Sequence, residues 1–491
     1  MDRAFAMRPV AAHTIPRSPP ARRYTHTMLP LLLLLACGPD TIGEPCVCDG
    51  HGVQICDGGA CGPCQCLPLL DVSEDPEPSV TFHVDPDLPQ GDGSEGSPWA
   101  WLDWEVLDRA LAQGHVRVLF SAQEADGSGA ETWPEPLELL REDGSDHRLV
   151  LDGSAVTNID DAQPQWVEAP PGARARVPGV TTGYEDIERS HITLRGFEVT
   201  GSDDKGIYFR AGDEVIIEDN LVHRNDGSPS VSLDYVSRSG LPSSSFVVRN
   251  NHIWDQRGEC VYIGGAEGQD LDAHASVIVE NNLIHDCWLA LGTHHDGINI
   301  KDRIAQVRVQ GNVIFNVDWG IEAASPGDYS HNLVWNTQRN GFHFTDAWGT
   351  GLSGLVVRDN LSAWAGEAGL YLFAQGNAAS GVSIQRFTAL GAAGAGLELG
   401  TEAGLEVQVQ DVLLQDNAVG LDGWGGVEAK VEGCETAGNG LDADRDLQDA
   451  ACSPGSSDLG DTEVLAGPDG IFFTQDDPWL STRGGAALPG G

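Results

Sequence analysis

The sequence predicts an all-β solenoid, in which short strands recur along the chain and stack as successive coils. Two recurrent segments and the composition support this prediction. The chain has 491 residues, of which 61 are Gly and only 7% are aromatic. A chain of this length is longer than one ordinary hydrophobic core serves, and a repeat architecture is a natural solution.

The first recurrent segment is apolar and ends in Asn. Gap-free copies occupy 215–220, 246–251, 277–282 and 307–312, and each is followed two residues later by an aliphatic residue. Weaker copies end at Asn332 and Asn360. Asn suits a repeated bend, because it tolerates left-handed backbone geometry and can hydrogen-bond to nearby backbone. If the coils stack in register, we expect these side chains to form an Asn ladder.

The second recurrent segment is Gly followed by alternating apolar residues. It occurs at 206–209, 297–300, 341–344, 369–372 and 396–399. Period-two alternation over so few residues predicts short, half-buried strands. Several such strands per coil of about 20–31 residues are typical of a parallel β-helix. Residues 189–437 resemble the pectin-lyase-like superfamily of right-handed parallel β-helices. The resemblance implies a solenoid of about ten or more coils with a saccharide groove along one outer face.

The ends of such a stack expose sheet edges and therefore need caps. Residues 104–113 carry apolar side chains on one helical face and predict a short capping helix before the first coils. At the other end, we expect Cys434 and Cys452 to close a disulfide around the last coil. Cys260 and Cys287, about one coil apart, either form a disulfide or are small buried residues.

The amino-terminal residues predict export and lipidation. Arg22 and Arg23 precede an apolar run at 28–36, which ends at Cys37. The run is too short to span a bilayer and fits an export signal. Its end resembles the bacterial lipobox, which implies that Cys37 is acylated and anchors the mature chain. Gly38 after the cysteine implies, by the same resemblance, an outer-membrane or cell-surface destination.

A dense cysteine cluster follows the proposed anchor. It comprises Cys46, Cys48, Cys56, Cys61, Cys64 and Cys66. In an exported protein this density predicts three disulfides, for which fifteen pairings are possible. Cys61 and Cys64 also have the spacing of zinc ligands, but no second pair in the sequence completes such a site. The segment resembles the small Cys-rich modules of some bacterial surface lipoproteins.

These signals divide the chain into six segments. They are an export signal at 1–36, a Cys-rich module at 37–70, an acidic linker at 71–78, a cap with the first coils at 79–188, β-helix repeats at 189–437, and an acidic carboxyl-terminal cap and tail at 438–491. The linker is rich in Pro, Glu and Asp and would hold the main domain away from the membrane.

The charge balance restricts the partners. The chain has 74 Asp and Glu against 28 Lys and Arg, a formal net charge of −46. Nucleic acid is excluded, because phosphate binding needs clustered Lys and Arg. A polyanionic sugar is also repelled unless calcium or a local basic patch intervenes. We expect a monomer that contacts the membrane only through its lipid anchor and recognises a polysaccharide or a cell-surface glycan.

Aligning the Gly-led strands predicts one outward column of side chains. It runs through Tyr208, Ser232, Tyr262, Asn299, Glu322, His343, Tyr371 and Glu398. Its central part suggests Tyr262 and Asn299 as glycan-binding residues, and Glu322, His343 and the neighbouring Lys301 as catalytic candidates. A second column follows the recurrent Asn and contains His223, Trp254, His285, Phe315 and Trp335. Trp254 and Trp335 are candidate sugar-binding rings, although ring stacking between coils would stabilise any solenoid.

Neither a lyase nor a hydrolase site is complete in this column. Elimination at a uronate needs a base and a cation, and the segment 294–302 loosely resembles a lyase strand that carries a lysine base, here Lys301. The alginate-lyase-like branch implies an Arg on the next coil, where Ala324 stands, and no Asp cluster that would hold calcium is evident around Lys301. Lys301 is then expected to form only an exposed contact with Glu322.

A hydrolase usually needs two carboxyl groups about 5–9.5 Å apart. Glu322 and Glu398 lie three rungs apart in the column, about 14 Å at the spacing of neighbouring strands. Glu322 with Asp302 or with Asp346 remains a possible pair. The sequence thus predicts no hydrolase motif.

Calcium is the one cofactor that the sequence suggests. Asp442, Asp444 and Asp446 resemble a calcium loop, but the sixth position lacks Gly and the twelfth lacks Glu. Two classes of function fit the sequence. One is a glycan-recognising surface protein, with or without lyase or hydrolase activity, and the other is an adhesive or structural surface protein.

Overall fold

The computed structural model describes residues 76–121, 133, 135–141, 146–154, 174–182, 190–210, 212, 214–233, 245–264, 276–287, 295–301, 304, 306–346, 351–445 and 452–454, and the pairs 56–57 and 60–61. Within these ranges the chain forms three long sheets, of 13, 12 and 12 strands. Successive strands of each sheet come from successive coils and pair in parallel, as in Val277–Glu280 beside Val307–Gln310. The prediction of a parallel β-helix with about ten or more coils is confirmed.

The first sheet has 13 strands in the described residues: Val80–Val84, Val116–Phe120, Leu149–Asp152, Ile192–Arg195, Val215–Glu218, Phe246–Arg249, Val277–Glu280, Val307–Gln310, Asp328–Ser330, Val356–Arg358, Ala379–Gln385, Leu405–Gln410 and Glu428–Glu432. The second sheet comprises Arg176–Val177, Glu198–Thr200, Leu221–His223, His252–Gln256, Leu283–Cys287, Val313–Val317, Leu333–Thr337, Leu361–Ala363, Thr388–Leu390, Leu413–Gln415, Glu435–Ala437 and Ser453–Pro454. The third sheet comprises Leu137–Glu138, Val180–Thr181, Ile207–Phe209, Val231–Leu233, Val261–Ile263, Ile298–Ile300, Ile321–Ala323, Phe342–Thr345, Leu370–Ala374, Ala395–Thr401, Val419–Trp424 and Leu441–Arg445.

The core lies between the three sheets. Alternate residues of each strand point inward, so that Val277 and Val279 are fully buried and pack in one cluster with Val309 of the next coil. Each coil supplies only a few such side chains, and burying one Val or Leu stabilises by about 1.5–3 kcal/mol. A single coil therefore cannot form a core, whereas the stack forms a continuous one.

The predicted Asn ladder is confirmed at the bend between the first and second sheets. The side-chain oxygen of Asn251 accepts a hydrogen bond from the backbone N–H of Asn220 at 3.0 Å, and Asn282 does the same for Asn251 at 2.9 Å. The left-handed residue, however, is the one before each of these Asn residues: Asp219 has a φ of 56° and Asn250 also has 56°. The prediction that the recurrent Asn itself adopts the left-handed conformation is therefore wrong. The preceding residue makes the turn, and the buried Asn side chain forms hydrogen bonds between neighbouring coils.

Glycines at the start of the third-sheet strands stack from coil to coil, and we call them the glycine column. A Cβ atom added to Gly320 would lie 2.3 Å from the carbonyl oxygen of Gly341, and one added to Gly369 would lie 2.7 Å from that of Gly396. Real Cβ atoms do not approach backbone oxygens this closely. The recurrent Gly of the sequence thus reflects the close approach of one coil to the next.

The outer face of the first sheet carries alternating Arg and carboxylate side chains. Representative ion pairs join Arg195 to Asp152 at 3.1 Å, Arg249 to Glu218 at 2.6 Å, Arg308 to Glu280 at 2.8 Å and Arg358 to Asp328 at 2.7 Å. These side chains are at most 27% exposed. Several of the chain's few basic residues are therefore neutralised by strand neighbours.

The predicted amino-terminal cap is a helix at Trp104–Leu111. Asp103 begins it, with its side chain accepting a hydrogen bond from the backbone N–H of Val106 at 3.1 Å. Leu107 and Leu111 are fully buried in the main core cluster. The helix therefore covers apolar residues of the first coils, as the apolar spacing predicts.

Two disulfides lie in the described part of the β-helix. Cys434 and Cys452 are bonded, which confirms the prediction for the last coil. Cys260 and Cys287 are also bonded, which decides between the two alternatives for that pair. Cys56 and Cys61 face each other in a two-stranded antiparallel hairpin, Cys56–Asp57 with Ala60–Cys61. The other predicted cysteines lie outside the described residues: Cys37, Cys46, Cys48, Cys64 and Cys66.

No helix within the described ranges is long and apolar enough to cross a membrane.

Candidate functional site

The outward column predicted from the sequence exists on the third sheet. Tyr262 pairs with Asn299, Asn299 with Glu322, and Glu322 with His343 on successive strands. We call these four residues the strand column. Its register is as predicted, because the Gly-led segments align without gaps.

A second column lies three residues before the first, at the corner where the chain enters each strand. It contains Glu259, Asp296, Trp319 and Asn340. Backbone hydrogen bonds next to the corner hold this register, such as Cys260 N–H to Asp296 C=O at 2.9 Å and Gly297 N–H to Trp319 C=O at 2.9 Å. We call these residues the corner column. The corner column is not among the predicted site residues, although it stands in the alignment one residue before the Gly.

The outward column is more deeply buried than outward-pointing strand residues usually are. Asn299 is fully buried, and Glu322 is only 9% exposed. Tyr262, Lys301 and His343 are partly exposed. The candidate site therefore has a buried polar floor and a partly exposed rim, rather than a flat surface.

Three carboxyl groups converge on one amide in the floor. The Asn299 side-chain nitrogen lies 2.8 Å from a Glu259 oxygen, 2.8 Å from an Asp296 oxygen and 2.6 Å from a Glu322 oxygen. An amide nitrogen has two hydrogens and cannot serve three acceptors equally. Because all three oxygens lie within hydrogen-bonding distance of the same nitrogen, the three carboxyl groups are close neighbours of one another. Glu322 thus has two carboxyl neighbours, Asp296 and Glu259, that were not predicted from the sequence.

Protonation relieves the repulsion within this cluster. Complete burial raises the pKa of Asp296 well above its usual range, and the charges of Glu322 and Glu259 raise it further. A hydrogen bond between Asp296 and Glu322 acts in the same direction. Asp296 is therefore held as the neutral acid beside Glu322.

Lys301 supplies a positive charge beside the cluster. Its ammonium nitrogen lies 3.5 Å from a Glu322 oxygen, and the two side chains are only 20% and 11% exposed. The expectation of an exposed contact is therefore wrong, because both groups are largely removed from water. The same ammonium group lies 5.6 Å from the centre of the Tyr262 ring. Lys301 thus connects the carboxyl floor to the aromatic rim.

His343 is held as a neutral ring with a defined tautomer. The Asn340 side-chain oxygen accepts from the Ala368 backbone N–H at 2.9 Å, so the Asn340 amide donates to His343 Nδ1 at 2.9 Å. The ring proton is therefore on Nε2. Burial is the main reason that the pKa of His343 falls to about 4; Glu322 opposes this shift, whereas Arg339 and Lys301 add to it.

Rings cover both faces of His343. Its ring centre lies 4.6 Å from that of Trp319 and 4.9 Å from that of Tyr371, with interplanar angles of 20° in both contacts. The Arg339 guanidinium lies 4.3 Å from the centre of the Trp319 ring. His343 can consequently meet a ligand only through its edge, where Nε2 donates.

The pKa of His343 predicts a pH dependence of stability. Between pH 6.5 and pH 4 the unfolded chain protonates this residue and the folded chain does not, so stability falls as the pH is lowered through this range. We expect His343→Gln to reduce that loss by on the order of 2–3 kcal/mol. Urea unfolding at a series of pH values measures it. Wild-type and variant curves that stay parallel from neutral pH to pH 4 would contradict the prediction.

Trp254 and Trp335 lie on another face, the outer side of the second sheet. Trp254 stacks on His223 with ring centres 4.2 Å apart, and Trp335 stacks on Phe315 at 4.3 Å. The residues between them continue the stack, since His285 and Phe315 lie 4.6 Å apart. Sugar rings bind to the faces of aromatic rings. Most faces in this stack are already covered, so the contacts favour a stabilising role.

The side chains of the predicted calcium loop lie outside the described part of the chain. Asp446 lies outside the described residues, as do the side chains of Asp442 and Asp444. Asp302, the other acidic neighbour of Lys301 in the sequence, is outside them as well. Elsewhere, no group of three or more His, Cys, Asp or Glu among the described residues is arranged to hold a metal ion.

Comparison with known proteins agrees with the geometry of the coils. The family described as "Right handed beta helix region" matches residues 176–349. The curated proteins gave no match. These findings and the three parallel sheets define the chain as an all-β, right-handed parallel β-helix protein.

Three solved structures illustrate the similarity. The chain is 13% identical to the pectate lyase Pel9A (TM-score 0.37; 64% of this chain and 76% of that chain covered). It is 11% identical to XylC in complex with xylose (TM-score 0.37; 68% and 75% covered). It is 13% identical to the GH87 α-1,3-glucanase of Streptomyces thermodiastaticus (TM-score 0.34; 74% and 69% covered). None of these similarities specifies a reaction for this chain.

Proposed function

We propose that the protein is an exported, lipid-anchored β-helix that recognises a polysaccharide along the outer face of its third sheet. The observation that carries the proposal is the convergence of different hydrogen-bonding groups in one partly covered site. Lys301 offers an ammonium donor, His343 offers Nε2–H, and Glu322 offers a carboxylate on adjacent rungs. Saccharide hydroxyls need such mixed donors and acceptors in fixed positions.

The repeat along the stack favours an extended ligand. Strand-column residues lie one rung apart, at about 4.8 Å, and the partly exposed residues Tyr262, His343 and Tyr371 occupy separate rungs. A polymer can contact several rungs at once, whereas a small molecule contacts one or two. We therefore expect affinity to increase with glycan length.

The charges of the site favour a neutral or amino-sugar polymer over a polyuronate. The floor contains Glu259, Asp296 and Glu322, and the nearby cations are Lys301 and Arg339. Burial and its carboxylate neighbours keep Asp296 neutral, yet the whole chain has a net charge of −46. A polymer of carboxylate-bearing sugars would be repelled at long range and would gain little locally.

Glycoside hydrolysis is a second candidate, favoured by the pairing of a neutral acid with a carboxylate. Asp296 has a raised pKa, and it shares the Asn299 amide nitrogen with Glu322. Glycosidases use one carboxylic acid as proton donor and a second carboxylate as nucleophile or base. Asp296 is fully buried, however, and a role as donor would require its proton to reach the substrate through Glu322.

The contacts of Lys301 argue against the lyase alternative. A lyase base must present a lone pair to the proton beside the uronate carboxylate. The Lys301 nitrogen instead lies 3.5 Å from Glu322, where it acts as a cation. The register also places Ala324 beside Lys301, and its side chain offers no charge to hold an enolate.

The decisive experiment is to incubate the whole protein with neutral, amino-sugar and acidic polysaccharides and to measure both binding and product formation. We expect binding to a neutral or amino-sugar polymer, with about tenfold or greater loss of affinity in Glu322→Gln and Tyr262→Ala, because each removes a group of the site. Gln408→Ala, an exposed change on the first sheet, is the matched control and should bind as wild type does.

The products distinguish the alternatives. New reducing ends that disappear in Glu322→Gln would support hydrolysis, and products absorbing in the ultraviolet would support a lyase. Failure to bind any glycan would refute recognition and favour an adhesive or structural surface protein.

A further inference from the structure

Two histidines on the outer face of the second sheet bring their ring nitrogens together, away from the candidate glycan site. His252 begins the strand His252–Gln256, and His285 lies in the next strand, Leu283–Cys287. His252 pairs with Leu283, so His285 is its diagonal neighbour two residues further along. The two Nε2 atoms are 2.8 Å apart. Both side chains are partly exposed.

Hydrogen bonds fix which nitrogen of His285 carries a lone pair. Its Nδ1 lies 2.8 Å from an Asp286 oxygen, and a carboxylate accepts, so the proton is on Nδ1. Asp286 is held in turn by the Asn316 amide at 2.8 Å. The unprotonated Nε2 of His285 therefore points at His252. A histidine oriented through its other nitrogen by a carboxylate is the usual arrangement of a metal ligand.

His252 is prepared for the same role. Its Nε2 donates to His285 in the absence of metal, and its ring stacks on Trp254 with centres 4.0 Å apart. This stacking contact fixes the orientation of the His252 ring towards His285.

We infer that His252 and His285 form a chelating site for one divalent transition-metal ion that prefers right-angle coordination, such as Cu²⁺. A metal 2.0–2.1 Å from two nitrogens that are 2.8 Å apart sees them at an angle of about 86°. This angle suits the square-planar or octahedral geometry of Cu²⁺ or Ni²⁺ and departs from the tetrahedral geometry of Zn²⁺.

Binding requires one proton to move and both rings to turn their Nε2 atoms from each other towards the ion, and it involves no redox step. The metal replaces the proton on His252 Nε2, and that ring stays neutral by taking a proton on Nδ1. Because no group of three or more ligating side chains occurs in the described part of the chain, water completes the coordination. His285 is 16% exposed, so solvent reaches the pair. Cu²⁺ should bind most tightly in the first-row series.

The test is a titration of the whole, chelator-treated protein with Cu²⁺ at neutral pH, followed by calorimetry and electron paramagnetic resonance. We expect one equivalent bound through two imidazole nitrogens, and no such equivalent in the double variant His252→Gln/His285→Gln. Each single variant should bind Cu²⁺ at least roughly 10–100-fold more weakly. Losing a ligand costs no less affinity than losing a residue that hydrogen-bonds to a ligand. Zn²⁺ should bind more weakly than Cu²⁺ and Ni²⁺.

His223→Gln is the matched control, since His223 stacks on the other side of Trp254 and its Nε2 faces Glu198 at 3.0 Å. It should bind Cu²⁺ as wild type does. Two results would overturn the inference: an unchanged copper equivalent in the double variant, or a wild-type spectrum without two coordinated imidazoles. The second result is decisive even if the double variant does not fold.

Discussion

Replacing Asn251 with Ala is expected to lower the free energy of unfolding by on the order of 4 kcal/mol, because two buried backbone groups of the preceding coil lose their partners. The Asn251 amide donates to the Ile217 carbonyl at 2.9 Å, and its oxygen accepts from the Asn220 backbone N–H at 3.0 Å. It also donates to the Asn282 oxygen at 3.1 Å, and in the variant that oxygen keeps only the bond from the backbone N–H of residue 251. Each polar group left unpaired in the interior costs about 1–3 kcal/mol.

Urea unfolding measures this change, and Gln408→Ala serves as its control. Gln408 carries an amide on an exposed position of Leu405–Gln410, so its loss should change stability by less than about 0.5 kcal/mol. If Asn251→Ala unfolded at the same urea concentration as Gln408→Ala, the Asn ladder would not contribute to stability, contrary to the prediction.

The second large effect is expected from adding one methyl group in the glycine column. In Gly320→Ala the new Cβ would lie 2.3 Å from the Gly341 carbonyl oxygen and 2.3 Å from a Val334 methyl carbon. The first neighbour is backbone of the next coil and cannot rotate away. The two coils must separate locally, and we expect a loss of about 3 kcal/mol in the free energy of unfolding.

A matched change elsewhere separates this steric effect from the intrinsic preference of Gly and Ala. A Cβ at Gly96 would have no atom within 4 Å, so Gly96→Ala should be neutral or stabilise by about 0.4–1 kcal/mol. The midpoints of thermal and urea unfolding should shift in opposite directions in the two variants, or differ widely between them. Equal stability of the two variants would show that neighbouring coils can yield to an added side chain.

The fold could be predicted because the same physical constraint recurs in every coil. An Asn ladder and a glycine column both require one residue type at one position, and repetition makes that requirement visible without a structure. The left-handed residue was harder to place, since Asp219, Asn250 and Gly311 share a backbone conformation but not a residue type. A constraint that several residue types satisfy leaves little trace in the sequence.

The candidate site could be predicted only where it lies on strands. Alternation tells which strand residues point outward, and it placed Tyr262, Glu322 and His343 in one column. Alternation does not apply at the corners between strands, where the side chains of Asp296 and Asn340 contact the strand column. The depth of the site also escaped prediction, because the burial of Asn299 depends on the three-dimensional surroundings of the strand rather than on its alternation.

The ladder also bears on how such a protein can diversify. Neighbouring ladder residues are separated by 31 positions from Asn251 to Asn282 but by only 20 from Asn312 to Asn332, yet the bonding oxygen lies 2.9 Å from the backbone nitrogen in the first pair and 3.1 Å in the second. Segments between strands can therefore lengthen or shorten without shifting the stack. Insertions of this kind could reshape the rim around Lys301 while the hydrogen bonds beneath it stay the same, so selection for a new ligand and selection for folding act on different parts of each coil.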